Sequence, residues 1–287
     1  MATVPLMPAA FLGHGSPMNA LERNRYTEAW RAFGTSVPRP RAILAISAHW
    51  YVNATAVTAM SWPRTIHDFY GFPKPLFEVD YPAPGLPALA EEVADLARPD
   101  HVGRDVDGWG LDHGTWSVLV HAFPDADIPV VQLSINAQKP PGWHVAMGAR
   151  LAALRERGVL VLGSGNVVHN LRAMDWTQPD AAFDWNARFD AEAKRVLAER
   201  PGDAAALASH RDYARSAPTP EHFLPLLYLA GLAAAAGKGA DVLVEGPAYG
   251  SLSMTSYTLD AQCPRQDQPG AGAAAPSSVV SADASNL

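Results

Sequence analysis

Only one cysteine, Cys263, occurs among the 287 residues, so no disulfide can form within the chain. That fits a reducing compartment. Positive charge is also short: 22 lysines and arginines stand against 29 acidic residues, a formal net charge of -7. No basic field is present to attract a nucleic-acid backbone. Long apolar runs are missing as well. The longest, residues 223–236, is interrupted by Pro225 and Gly231 and is too short to span a bilayer. Residues 1–8 lack the basic stretch and apolar core of a secretory leader. The expectation is a cytoplasmic protein with no nucleic-acid or membrane partner.

Apolar residues make up 48% of the chain and charged residues 18%, enough to bury a large core. Short β-rich runs at residues 9–12, 42–48, 55–59, 129–134, 159–163, 242–245 and 252–257 alternate with helical patterns. These lie at 25–33, 87–97, 115–122, 143–157, 185–199 and 221–236. Most of the strand runs are continuously apolar, as strands covered on both faces are. In residues 143–157, Met147, Leu151 and Leu154 recur at helical spacing. The alternation predicts an α/β fold: one domain, residues 1–262, with a mixed central sheet sandwiched between helical layers. Residues 62–87 hold six prolines and several aromatics and read as a long ordered loop. Residues 263–287, rich in Gly, Ala, Ser and Pro, read as a disordered tail.

Ten histidines occur, and their settings separate them. His14 lies between glycines after the first strand run, His49 closes the second, and His169 follows residues 159–163 through Gly163-Ser164-Gly165-Asn166. Ligands of open α/β sheets bind outside the carboxyl ends of strands, so these three are candidates to converge. Thr219-Pro220-Glu221-His222 reads as a helix start, with Thr219 as N-cap and Pro220 as first helical residue. Glu221 suits the helix dipole there. His222 has no such structural reason, which favours it as a ligand. His113, between Asp112 and Gly114, fits core packing and catalysis equally. His121 and His144 read as solvated helix positions, His101 and His210 as surface positions. Imidazoles suit zinc, iron or copper, but such scattered spacing names no single chemistry. A zinc hydrolase and a non-catalytic metal or aromatic binder both remain open, and so does Ser16 as a nucleophile, although no Gly-x-Ser-x-Gly elbow surrounds it.

Eight segments in order carry a resemblance: FLGHGSPMNAL (11–21), SAHW (47–50), IHDFYGFP (66–73), YPAPG (81–85), GLDHGTW (110–116), GSGNVVHNL (163–171), PTPEHFLPLL (218–227) and GSLSM (250–254). Together they resemble the LigB-like (DODA-type) class III extradiol ring-cleaving dioxygenases over residues 9–258. The resemblance implies an α/β sandwich that opens a substituted catechol with O2 to a muconic semialdehyde. It implies one divalent metal, Fe(II) for turnover with Zn(II) possible in the same site, held by His14, His49 and His222. His169 would be the acid/base and His113 a further contact near substrate or oxygen. More distant relatives use a carboxylate as the third ligand. Glu221 is therefore the alternative to His222, and adjacent residues cannot both reach one ion.

Overall fold

In the computed structural model, which describes residues 6–266 and 270–276, the strands are β1 (Ala9–Gly13), β2 (Ala42–Val52), β3 (Ala56–Thr58), β4 (Gly103–Asp105), β5 (Val130–Asn136), β6 (Val159–Gly165), β7 (Asp241–Val244), β8 (Pro247–Ala248), β9 (Leu252–Ser253) and β10 (Ser256–Leu259). The helices are α1 (Arg25–Ser36), α2 (Lys74–Phe77), α3 (Pro87–Leu96), α4 (His113–Ala122), α5 (Pro141–Leu151), α6 (Ala153–Glu156), α7 (Asp184–Glu199), α8 (Tyr213–Ser216) and α9 (Leu224–Ala235). Eight strands form one mixed sheet in the order β4-β3-β5-β2-β6-β1-β10-β7. Its centre, β5-β2-β6-β1, is parallel, and β10 and β7 continue it antiparallel.

The uninterrupted apolar runs follow from burial on both faces. In β1, Ala9 and Phe11 join one core while Ala10 and Leu12 join the other. The first core takes α3, α5, α7 and α9 through residues such as Leu89, Leu151, Phe189 and Leu226. The second takes α1 and α4 through Trp30, Phe33, Trp116 and Leu119. Each large apolar side chain so buried contributes roughly 1.5–3 kcal/mol. The sheet between helical layers is the architecture expected from the sequence. No helix among the described residues is long and apolar enough to cross a membrane.

Several expectations change. The last helix begins at Leu224 rather than at Pro220. A regular helix from Pro220 would place Pro225 in its interior, where proline removes a hydrogen bond and clashes with the preceding turn. Starting at Leu224 puts that proline in the first turn, where its missing N–H costs nothing. Thr219 does not cap the helix; its hydroxyl donates to Glu221 Oε1 at 2.6 Å. His121 and His144 are buried rather than solvated. His121 Nε2 lies 2.8 Å from the Asn19 carbonyl, and His144 Nδ1 lies 3.1 Å from the Tyr228 hydroxyl.

Part of the tail is packed. Arg25 N donates to Ala271 O, Ala274 N to Asn19 Oδ1 and Ser16 Oγ to Ala275 O, while Ala273 and Ala274 are buried. Alanine loses no side-chain entropy on ordering, so small residues can line a groove with backbone hydrogen bonds alone. Residues 267–269 and 277–287 of the expected tail lie outside the described residues.

Candidate metal centre

The three neighbouring strands β2, β6 and β1 run in one direction and end at one edge. His14 follows β1, and its amide donates to Gly165 O at 3.0 Å. His49 lies within β2. Pairing of β2 with β5 is regular to Ile46↔Leu133 and resumes at Tyr51↔Ile135, so residues 47–50 bulge between them. A bulge re-aims side chains, and His49 Nε2 comes to 3.3 Å from His14 Nε2. His222 occupies the turn before α9, where its carbonyl accepts from Asn166 N at 2.9 Å. This approach requires Gly165, because a Cβ there would stand 2.2 Å from the His222 carbonyl oxygen.

His113 is the first residue of α4, which is capped by the Asp112 side chain accepting from Thr115 N. A Cβ on Gly114 would lie 2.6 Å from His49 Cδ2, so the glycine lets α4 start against the cluster. His169, beyond β6, donates its amide to Ser216 O at 2.8 Å. Its ring is stacked on that of His222 with centroids 3.6 Å apart. The five imidazoles singled out in the sequence therefore meet in one place, and each is buried. His67 stays outside it; its Nε2 lies 2.9 Å from Val79 O.

Hydrogen bonds fix which nitrogens are bare. The Ser164 hydroxyl donates its one hydrogen to Gly114 O at 2.5 Å, and Ser164 Oγ lies 2.9 Å from His14 Nδ1. Ser164 must accept at that second contact, so His14 carries its proton on Nδ1 and its Nε2 lone pair is free. His222 Nδ1 lies 3.3 Å from Glu221 Oε1, while its buried Nε2 has no hydrogen-bond partner among the described residues. His49 Nδ1 lies 3.5 Å from Asp68 Oδ2, and His113 Nδ1 lies 3.0 Å from Asp68 Oδ1. Both are ion-pair distances without hydrogen-bond alignment. An imidazole whose Nδ1–H faces an oxygen acceptor while Nε2 points at a common centre is the usual arrangement of metal-binding histidines.

Burial, reinforced by the neighbouring imidazoles, pushes His14 and His49 well below the ordinary histidine value, so both are neutral. Burial alone would raise the Glu221 carboxyl, but His222 and the Thr219 hydroxyl hold it below the ordinary range. It is therefore an ionised acceptor for His222. Burial, aided by the charge of Asp68, raises Asp112 to about 6.

Ring centroids stand 5.1 Å apart for His14–His49, 5.3 Å for His14–His222 and 5.0 Å for His49–His222. By ligand atoms, the cluster in which all lie within 4.8 Å of one another is His14, His49 and His113, without His222. The His113 ring lies only 3.8 Å from that of His49 and 6.1 Å from that of His14. Phe69 of the aromatic loop packs edge-on to His113 with centroids 5.4 Å apart, and Phe72 stands edge-on to Phe69. Ser16 Oγ accepts from Met18 N and donates to Ala275 O, and among the described residues it is hydrogen-bonded to no base.

Two contributors were not singled out in the sequence. Ser164 lies within a quoted motif and Asp68 within the aromatic loop. Their pairing with histidines 150 and 45 positions away along the chain leaves no local signal, although the His67-Asp68 dipeptide in an aromatic loop is a hint.

A family model described as the catalytic LigB subunit of aromatic ring-opening dioxygenase matches residues 8–259. The chain is 50% identical over 260 residues to the 4,5-DOPA dioxygenase extradiol of Escherichia coli (strain K12), covering 88% of this chain and 94% of that relative. It is 35% identical over 258 residues to the 4,5-DOPA dioxygenase extradiol of Beta vulgaris, covering 86% and 94%. The crystal structure of an uncharacterised protein from Escherichia coli K12 matches with a TM-score of 0.77 at 45% identity, covering 88% of this chain and 99% of that one.

Proposed function

The chain belongs to the family of the catalytic LigB subunit of aromatic ring-opening dioxygenases, and from that premise we propose that it is a cytoplasmic extradiol enzyme opening a para-substituted, DOPA-like catechol with O2. The observation that carries the reading is the triangle of His14, His49 and His222. Metal–nitrogen bonds of about 2.1 Å put the centroids of two imidazoles bound at near-tetrahedral angles about 5 Å apart. The three separations, 5.1, 5.3 and 5.0 Å, fit that value. The 3.8 Å between His49 and His113 is too short for it. His222 is thus favoured as the third ligand, and Glu221 as the group that orients it rather than as a ligand itself.

The residues present fit a divalent metal: three imidazoles in a buried site, with burial holding His14 and His49 neutral and His222 Nε2 without a hydrogen-bond partner among the described residues. When bound, Fe(II) would supply coordination of the diol and passage of electron density from the ring to oxygen; Zn(II) suits the same ligands without that redox chemistry. The remaining work falls to the chain. His169, stacked on His222, accepts a catechol proton and returns it later, as imidazoles near neutral pH do. His113 offers its unpartnered Nε2 on the side of His49 as a polar contact to substrate or oxygen. Phe69 and Phe72 form an apolar wall suited to an aromatic ring. The ring bond beside the diol breaks, both oxygen atoms enter the product, and a muconic semialdehyde results.

The test is oxygen uptake by Fe(II)-loaded protein across a panel of substituted catechols, with the yellow semialdehyde followed in parallel. Uptake matched by semialdehyde is expected, with His169→Ala keeping its metal and losing about 10²–10⁴-fold in turnover. Hydrolysis of amides or esters without oxygen uptake would favour a hydrolase instead.

A further inference from the structure

We propose that Asp68 is a positioning residue of this centre: one carboxylate shared by two imidazoles, which assigns the proton on each and ties the aromatic loop to the site. Its Oδ1 accepts from the backbone N–H of His113 at 2.9 Å and lies 3.0 Å from His113 Nδ1. Its Oδ2 lies 3.5 Å from His49 Nδ1. Among the described residues, Asp68 alone pairs with both Nδ1 atoms. An ionised carboxylate only accepts, so its charge at 3.0 and 3.5 Å, without an aligned hydrogen bond, favours the form of each ring with hydrogen on Nδ1 and the opposite nitrogen bare. For His113 this leaves Nε2 as a lone pair, and Nε2 has no competing partner. For His49 it keeps the proton off Nε2, the nitrogen that faces His14 Nε2.

Asp68 sits between His67 and Phe69. Phe69 packs on His113 and His67 on Trp116. The carboxylate therefore joins two parts of the site, the wall formed by the loop and the imidazoles carried by β2 and α4. An incoming aromatic that displaced the loop would disturb the orientation of His49, and the reverse holds too.

The inference deepens the metal-centre reading and rests on it only for the role of His49. The experiment compares the parent with Asp68→Asn and Asp68→Ala in the full chain. Zinc affinity is measured by chelator competition, and the His113 tautomer by long-range proton–nitrogen correlation of metal-free protein labelled at histidine. Melting of the metal-free proteins checks the fold. Asn has the same shape as Asp, so a side chain needed only to fill space would be well replaced. Its amide oxygen would stay on the two His113 N–H groups, which leaves its NH2 against the Nδ1–H of His49. Asp68→Asn is therefore expected to bind zinc about 10–100-fold more weakly while His113 keeps its Nδ1–H form. Asp68→Ala should lose that preference at His113 as well. Parent-like zinc affinity in Asp68→Asn together with an unchanged His113 tautomer in Asp68→Ala would overturn the proposal. A parent that binds no zinc, with a His113 tautomer that still follows Asp68, would overturn the metal reading and leave the positioning role at His113 in place.

Discussion

His14 Nε2 and His49 Nε2 face each other at 3.3 Å, and the proton for that contact cannot come from His14. Ser164 spends its hydrogen on Gly114 O and takes the Nδ1–H of His14. A bare nitrogen is thus held beside a second imidazole in a buried site, a local arrangement that a shared cation stabilises. Ser164→Ala removes the group that chooses the tautomer. Zinc affinity by chelator competition is expected to fall about 10–100-fold, and the metal-free protein to lose on the order of 2 kcal/mol of stability with the two buried hydrogen bonds of Ser164. Parent-like affinity would show that His14 needs no such guide.

The identity of the third ligand separates three variants. His222→Ala is expected to purify without metal. Glu221→Ala should keep its metal at reduced affinity, because it loses the acceptor at His222 Nδ1 but not the ligand. His113→Ala should also keep it. Metal content by mass spectrometry of the purified proteins decides; loss in Glu221→Ala with retention in His222→Ala would reverse the assignment.

The packed part of the tail reaches the metal centre through Asn19. That side chain accepts from Ala274 N with Oδ1 and donates to the His14 carbonyl with Nδ2. Truncation after residue 262 removes this contact and the bonds to Arg25 N and Ser16 Oγ. At about 1 kcal/mol for each of these three net hydrogen bonds, urea unfolding should show a loss on the order of 3 kcal/mol. Identical unfolding curves would mean that the segment contributes nothing.

Away from the centre, burial lowers His144 from 6.5 to about 4 in the folded protein. The unfolded chain binds this proton below about pH 6.5, where the folded chain does not. The contribution is fully present above that pH and is lost as pH falls toward 4, to a limit on the order of 3 kcal/mol. Denaturant unfolding at pH 7, 5 and 4 checks this. In His144→Gln, stability should fall less steeply over the same window; an equal fall would place the acid sensitivity elsewhere.

How far this was legible in the sequence depends on range. Continuous apolar runs announced β1, β2, β5 and β6, because burial on both faces leaves an uninterrupted local pattern. Histidines at the ends of those runs announced most of the site. β4, Gly103-Arg104-Asp105, has no apolar signature and exists only because β3 offers it an edge. His121 and His144 sit in helices covered on more sides than their patterns showed, each with a partner far along the chain. Asp68 and Ser164 were illegible for the same reason: a proton's position on an imidazole is decided by whatever faces it in space. The start of α9 was within reach, since Pro225 was visible and a helix from Pro220 would have had to absorb it.

The central claim is most directly tested with protein loaded anaerobically with Fe(II), mixed with a para-substituted catechol and then exposed to air in an oxygen electrode. The account predicts that oxygen disappears in step with catechol, that a muconic semialdehyde accumulates, and that His14→Ala treated alike does neither. Iron-loaded parent protein that binds catechols across the panel yet consumes no oxygen would contradict it.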